Sequence, residues 1–522
     1  MKQLSLVYLA SLALFTACPA TGVVCKAGTV PCGTGCIDPA SDRRNCGACG
    51  TSCGAQQDCN AGVCGCRPGT TLCEGACVVT AYDVEHCGTG TSCGVKCAAG
   101  QVCELGVCGA SCSAGATRCG ASCVAAQTDV GNCGGCDVQC AQGQTCVAGV
   151  CDFPAVAACY WSGQVVGFNP STGVKGPLSD VGSNPAALAR VDSTLFVADG
   201  TDRRLYSARP SVSGAYAQAS LVTPTGAVPN QVLVDRPFVY VVNAGSGTLL
   251  VLKEGVDAGV VRLDAGVEGA LVLGAVAEVA LGMNTFPQGV AKVGSMLYVP
   301  LYGGYGAEAA DAGQELAKID VTVPAQAMLA GRVSLKGLDL QAFDGGAPVA
   351  RPWAITTKGG QVYVALNNLN PDTYVPEGPG LVVKLNPAND ALTVINLGAT
   401  ECLNPQWLAP MGERLIISCG GHISYAPDFS VQSVVAAGVV ALDGQDARLG
   451  SVWATAADAG VMPMMPGRFA VMGEQVSVSD QNGGRVVVLS VSDAGLAEVR
   501  GLDVCPVSPN SGVGNVADIL AR

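Results

Sequence analysis

Between Val228 and Gly255 the chain reads VPNQVLVDRPFVYVVNAGSGTLLVLKEG. Apolar residues alternate with polar ones, which is the period of half-buried β-strands. Arg236-Pro237 and the run Ala244-Gly-Ser-Gly247 interrupt the alternation as turn signals do. The stretch therefore divides into strand, turn, strand, glycine-rich loop and strand. The same order recurs along the chain. NPAALARVDSTLFVADGTDRRLYSA begins at Asn184, FPQGVAKVGSMLYVPLYGG at Phe286 and RPWAITTKGGQVYVALNN at Arg351. NPQWLAPMGERLIISCGG begins at Asn404, and MPGRFAVMGEQVSVSDQNGGRVVVLSVSD at Met465.

Pro185, Pro229, Pro287, Pro352, Pro405 and Pro466 open these six units. A seventh assembles from the two ends of the region. The C-terminal NVADILAR supplies a lone first strand, and AACYWSGQVVGFNPSTG, from Ala157, supplies second and third strands without a first. Repeats of this length with several strands each specify a β-propeller. Joining the ends leaves no exposed strand edge. The predicted fold is all-β: a seven-bladed propeller over residues 155–522, with six or eight blades as alternatives, preceded by three small disulfide-rich modules. The hairpins YVVNAGSGTLLVL and VSVSDQNGGRVVVLSV resemble YVTN-type repeats of surface-layer and periplasmic propellers. More distantly, they are similar to NHL and lactonase-type propellers. That resemblance implies a fold rather than an activity.

The modules are read from the cysteines, of which there are 29. Cys25, Cys32, Cys36, Cys46, Cys49, Cys53, Cys59 and Cys64 form one octet (residues 25–64). Cys66, Cys73, Cys77, Cys87, Cys93, Cys97, Cys103 and Cys108 form a second (66–108). Cys112, Cys119, Cys123, Cys133, Cys136, Cys140, Cys146 and Cys151 form a third (112–151). The first and third share one spacing without a gap. The second differs by three extra residues between Cys87 and Cys93. Cys46 to Cys49 and Cys133 to Cys136 have the C-x2-C spacing of a zinc knuckle. The insertion breaks that spacing in the second copy, so disulfides are the expected chemistry and no metal or other cofactor is implied. Modules of this size bury too little apolar area to fold without such staples. Eight cysteines allow 105 pairings, and the sequence does not choose among them. Cys159 and Cys505 fall near the two ends of the propeller and are candidates to staple its closure. Cys402 and Cys419 flank one strand pair and are candidates to clip it.

CIDPASDRRNCGACGTSCGAQQDCNAGVC and CVAAQTDVGNCGGCDVQCAQGQTCVAGVC resemble the repeats of the stigma-specific-protein family. Asp42, Asn45, Gly47 and Gly62 match its pattern in the first module. Asp129, Asn132, Gly134, Gly143 and Gly149 match in the third, while the second has His86 in place of the asparagine. The resemblance implies a small secreted disulfide module and no enzyme activity.

The N-terminus, MKQLSLVYLASLALFTAC, places Lys2 before an apolar run from Leu4 to Phe15, with Thr16 and Ala17 ahead of Cys18. This is the order of a secretory signal. A cysteine directly after the cleavage position resembles a bacterial lipoprotein signal over 1–17, with Cys18 lipidated and 18–24 as a linker. Pro19 in place of Asp points to the outer membrane, periplasmic or surface-facing. Export also provides the oxidising surroundings that disulfides need. The net charge is −13, and no basic patch is present, so nucleic acid is not an expected partner. Contact with the membrane is expected through the lipid only.

The first-strand openings Asn184, Asn230, Phe286, Arg351, Trp353, Asn404, Trp407 and Arg468 share one propeller face. The loops joining second and third strands at LYGGYGAEAADAGQEL, LNNLNPDTYVPEGPGL and CGGHISYAPDFSVQS are long and consecutive, and long loops favour a binding role. Tyr302, Tyr305, Trp353, Tyr374, Trp407 and Tyr425 are the candidate contacts. Asp199, Asn243, Asn367 and Asp480 each end a second strand. They are candidate metal ligands for a lactonase-like site, or simply Asx turns. The chain has two histidines, His86 and His422, too few for a histidine-based site, and no catalytic residue is assigned. The expected function is a cell-envelope protein that binds a protein or glycan on this face, with the modules as a stalk or adhesive segment. A propeller hydrolase or lyase acting on a small molecule or sugar is the alternative.

Overall fold

A computed structural model describes residues 25, 28–33, 35–54, 56–90, 92–219, 221–262, 271–304, 313–425, 431–452, 465–481, 483–506 and 514–522. Cys18, Tyr305 and the signal segment lie outside them. The chain falls into two compact units, divided between Ala126 and Gln127. The division lies inside the third module, upstream of the 151–155 boundary drawn from the sequence. Among the described residues there is no α-helix and no helix long and apolar enough to cross a membrane.

The first unit is built of short hairpins, such as Val30–Cys32 with Gly35–Ile37 and Gln57–Asn60 with Val63–Cys66. Every described cysteine is disulfide-bonded. The first module pairs Cys25–Cys36, Cys32–Cys49, Cys46–Cys59 and Cys53–Cys64. The second repeats that order with Cys66–Cys77, Cys73–Cys93, Cys87–Cys103 and Cys97–Cys108. The three-residue insertion is thus absorbed inside two overlapping disulfide loops, Cys73–Cys93 and Cys87–Cys103, without changing partners. Sulfur forms the buried centre of each module. The sulfur triplets Cys46-Cys53-Cys64, Cys87-Cys97-Cys108 and Cys133-Cys140-Cys151 cluster tightly, but as members of disulfides they are not thiolate ligands.

The signature Asp and Asn are loop staples. Asp42 accepts from the Arg44 amide (2.8 Å) and the Asn45 side chain (2.8 Å), and Asn45 accepts from the Gly50 amide (2.8 Å). In the second module His86 takes the asparagine's place, with Nδ1 3.3 Å from Asp83. Gly47 meets the Gly62 carbonyl so closely that a Cβ there would lie 2.5 Å from the oxygen.

In the second unit, residues 155–521 form seven sheets. The closing blade has Val516–Ala521 innermost, followed by Ala155–Cys159, Gln164–Phe168 and Lys175–Asp180. The other six have innermost strands Pro185–Val191, Pro229–Asp235, Ala291–Val293, Pro352–Lys358, Pro405–Met411 and Pro466–Met472. We number the blades one to seven from the closing blade. Seven apolar clusters lie one between each successive pair of sheets, including the pair formed by blades seven and one. Apolar alternation buries both faces of each middle strand. Thr194–Asp199 and Phe238–Asn243 are buried nearly throughout.

Closure rests on more than one strand. Cys159 is bonded to Cys505 across a sequence separation of 346. The end of the third module is seated on the same blade. Phe153 fills a socket in which a Cβ on Gly167, Gly176 or Gly214 would come within 2.3, 2.6 and 3.1 Å of its atoms. Fully buried Asp152 accepts from Tyr216 Oη (2.6 Å), from Arg190 Nη1 and from Arg522 Nη1 (3.3 Å). Gln144 donates to the Ser211 carbonyl (2.9 Å), and Asn169 to the Gly143 carbonyl (3.0 Å).

Blades five and six are joined by a second polar cluster. Lys358 Nζ and Lys384 Nζ lie 2.9 and 2.7 Å from the two Asp446 oxygens, and Tyr363 Oη donates to the same carboxylate (3.0 Å). Burial works to raise the Asp446 carboxyl, but hydrogen bonds from Lys384, Lys358 and Tyr363 outweigh it and hold it below the ordinary aspartate value. A lowered carboxyl stabilises the fold above its unfolded-state pKa and loses that contribution as pH falls through the folded value. Asp446→Asn is expected to cost about 2–4 kcal/mol at pH 7 by stranding two lysines. Denaturant titrations should show the gap between variant and wild type narrowing as pH falls below the unfolded-state aspartate value of about 4, towards the lower folded-state value. Replacing both Cys159 and Cys505 with Ser is expected to lower unfolding free energy by roughly 3–5 kcal/mol, because the bridge closes a very long loop. The same change at Cys402 and Cys419 should cost less in the same titration.

Candidate functional site

Each prolyl marker sits at one end of the channel. Pro185, Pro229, Pro352, Pro405 and Pro466 are the first residues of innermost strands. There the missing N–H leaves no ladder bond unmade. Just past each of them the register slips by a bulge. Bulges re-aim side chains, and here they occur beside Asn230, Trp353, Gln406 and Arg468. Four of the residues before the prolines are left-handed: Val228, Phe286, Arg351 and Asn404, with φ of 52, 42, 47 and 52°. We call this end the proline rim.

The carboxylates and amides that end second strands are latches of this rim. Asp199 faces Pro185 across the ladder, as Asn243 faces Pro229 and Asp480 faces Pro466. Asp199 accepts four backbone amides, from Ser183 (2.7 Å), Asn184 (2.6 Å), Thr201 (3.0 Å) and Asp202 (2.7 Å). Asp480 accepts from the Met465 amide (3.1 Å), and Asn243 donates to Thr248 Oγ1 (3.1 Å). The Asn367 backbone N–H donates to the Arg351 carbonyl (3.2 Å), and its side-chain Oδ1 is buried without a partner. In blade six the position opposite Pro405 is Cys419, which is bonded to Cys402. The disulfide does there what the carboxylate does in blade two. Among the described residues, the only groups of three possible metal-ligating side chains are the cysteine triplets.

The candidate aromatics are gathered around two arginines. In blade five, Arg351 lies between the rings of Tyr302 and Tyr374, 5.2 Å from each centroid. Its Nη1 donates to the carbonyls of Tyr302 (2.9 Å) and Gly304 (3.1 Å). Trp353 meets Tyr302 edge-on at 5.0 Å. In blade seven, Arg468 stacks on Trp407 of blade six, 3.9 Å from the ring centroid. It reaches across the channel to blade three, with Nη1 on Gln231 (2.7 Å) and Nη2 on the Asn230 carbonyl. Nη1 also faces Asp518 of blade one at 3.3 Å, and Asp518 accepts the Leu188 amide (2.7 Å). Burial pushes the Asp518 carboxyl up. Arg468, Trp407, Gln231, Asp518 and Leu188 border a channel cavity of about 370 Å³. Arg468 Nε, Trp407 Nε1 and Asn230 Oδ1 are buried without a hydrogen-bond partner. Both arginines stand at first-strand openings, but neither aromatic pattern nor spacing signalled that they would occupy the aromatic faces.

The long second-to-third connections differ from one another. In blade five, 367–380 is a built loop. Asn368 donates to the carbonyls of Leu340 (3.0 Å) and Pro379 (2.9 Å), and Asn370 to Glu377 (2.8 Å). In blade six the expected loop is largely a hairpin arm, with Arg414–Tyr425 paired to Val431–Leu442. His422 is paired to Val435 within it, because the alternating residues on both sides continue the ladder. Tyr425 ends that strand, and its side chain lies outside the described residues. In blade four, residues 305–312 lie outside them as well.

The model of the Stigma-specific STIG1-like protein family matches residues 104–154. No curated protein matches the chain. Among solved structures, a putative 6-phosphogluconolactonase from Bacteroides fragilis is 16% identical, with a TM-score of 0.45 over 67% of this chain and 94% of that one. The periplasmic gluconolactonase PpgL of Pseudomonas aeruginosa is 18% identical, with a TM-score of 0.40 over 67% and 96%. Apo AztD from Citrobacter koseri is 14% identical, with a TM-score of 0.42 over 70% and 97%. The propeller assignment itself rests on the strand order and the seven inter-sheet cores. The fold and its rim thus define a propeller protein with disulfide modules.

Arg468→Leu is expected to lower unfolding free energy by about 3–5 kcal/mol, because it leaves Asp518 buried and unpaired. Adding Asp518→Leu should recover much of that loss, since the pair is coupled. Equal and additive losses in chemical denaturation would count against the coupling.

Proposed function

We propose that this chain is exported, anchored to the outer membrane through lipidated Cys18, and binds a protein or glycan of the cell envelope at the proline rim. The disulfide modules serve as its stalk. The observation that carries this reading is the channel, where Trp407 and Arg468 line an open cavity and their Nε1 and Nε are buried donors without hydrogen-bond partners, with the unpartnered Asn230 Oδ1 on the residue next to cavity-lining Gln231. Such atoms cost free energy unless a partner meets them, and a hydroxyl- or amide-bearing ligand supplies both donors and acceptors. The adjacent 367–380 loop is tied down in advance by its own hydrogen bonds, which lowers the ordering cost of binding. Full oxidation of the described cysteines supports an exported location, where disulfides persist. Of the four Asx positions considered for metal-assisted hydrolysis, Asp199 and Asp480 are engaged by backbone amides.

Two measurements test this. Cys18→Ser is expected to abolish palmitate labelling and move the protein from the membrane to the soluble fraction; retention of both label and membrane association would contradict the anchor. Replacing Asp372-Thr373-Tyr374-Val375 with Gly-Ser repeats is expected to weaken saturable binding to purified envelope glycans or proteins at least tenfold. Unchanged binding by a folded variant would remove the rim from consideration.

A further inference from the structure

The channel has a second mouth, opposite the proline rim. The innermost strands that open at Pro185, Pro229 and Val516 end there, at Val191, Asp235 and Ala521. Between blades one, two and three this end holds a cavity of about 420 Å³. Val232, Leu233, Val234 and Leu520 border it together with Arg190 and Arg522. Small-molecule sites have this size and this make-up, apolar walls with a few charged groups. The apolar residues here are aliphatic, and such walls gain free energy by covering hydrocarbon in place of water.

The two arginines share one carboxylate. Arg190 Nη1 and Arg522 Nη1 both meet Asp152, which is fully buried. Arg190 is nine-tenths buried, and its Nε and Nη2 have no hydrogen-bond partner among the described residues. Burial and the like charge of Arg190 hold the Arg522 guanidinium below its ordinary value. Asp192, also at this mouth, is taken up by Arg236, whose Nη1 meets its two oxygens at 2.9 and 2.8 Å. Two guanidiniums at the cavity thus face the single Asp152 carboxylate. The planar guanidinium fork matches a carboxylate, and the resulting charge-assisted bonds are the strong ones.

We propose that this mouth binds an aliphatic monocarboxylate, with its hydrocarbon chain against Val232, Leu233, Val234 and Leu520 and its carboxylate at Arg190 and Arg522. A glycan would set hydroxyls against these aliphatic walls and bring no charge to the arginines, so the chemistry differs from that of the rim. The site lies at the other end of the channel and does not depend on the envelope-binding reading.

Two experiments on the full-length protein test the site. In titration calorimetry, decanoate below its micelle concentration is expected to bind saturably. Decanol, which has the same chain without the charge, should bind at least tenfold more weakly. Arg522→Gln is expected to weaken decanoate binding at least tenfold and to leave decanol unchanged. In wild-type crystals soaked in 10-bromodecanoate, an anomalous bromine peak is expected inside the cavity. No saturable decanoate binding, equal affinity for decanol, or a bromine peak only outside the cavity overturns the proposal, and so does unchanged decanoate binding by a folded Arg522→Gln. The wild-type calorimetry and the bromine position need no variant, so a misfolded Arg522→Gln leaves the proposal open to refutation.

Discussion

Closure of the propeller is the constraint on which the remaining structure depends. Each inter-sheet core is made by two neighbouring blades, so none can be completed at an open end. Blade one lacks an innermost strand until Val516–Ala521 pairs with Ala155–Cys159. The apolar cluster between blades seven and one then forms around Val516, Ile519, Val486 and Cys505. The closing strand brings Asp518 to Arg468 and carries Arg522 to Asp152. The channel mouth and the seat of the third module are therefore consequences of the same pairing.

The proline rim shows how one position in a repeat is used for different ends. Opposite the opening proline, blade two has a carboxylate saturated by amides, and blade six has a disulfide. Both tie the loop before the inner strand to the end of the second. The arginines stand outside this scheme. Arg351 and Arg468 are long, buried and stacked on aromatics, and they join blades that the latches do not. A binding surface at this end is stiffened by charge and ring contacts as well as by the ladder.

Much of this was legible in the sequence. The alternation from Val228 to Gly255, the repeated prolines and the unmatched strands at Ala157 and Val516 specify the ring and its closure, because each follows from backbone chemistry. The octets likewise specify three like modules. Pairing within an octet was not readable, since spacing does not say which sulfurs meet. The same limit applies to the aromatic positions. Nothing in the spacing of Tyr302, Trp353 and Tyr374 says that a guanidinium will take the ring faces, because that contact is formed between blades. The blade-six connection read as a loop because Gly420 and Gly421 interrupt the pattern. The ladder instead passes them, with Gly421 and Ala436 left-handed. The third module's attachment was hidden for a similar reason. Phe153 is a lone aromatic in a short linker until three distant glycines leave room for its ring.

The two ends of the propeller are covalently and topologically one blade. Peptide mapping of the unreduced, full-length protein by mass spectrometry tests this most directly. The peptide containing Cys159 is expected to be linked to the peptide containing Cys505, and Cys402 to Cys419. A free Cys159, or its linkage to any other cysteine, would contradict the closure on which the cores, the rim and the module's seat depend.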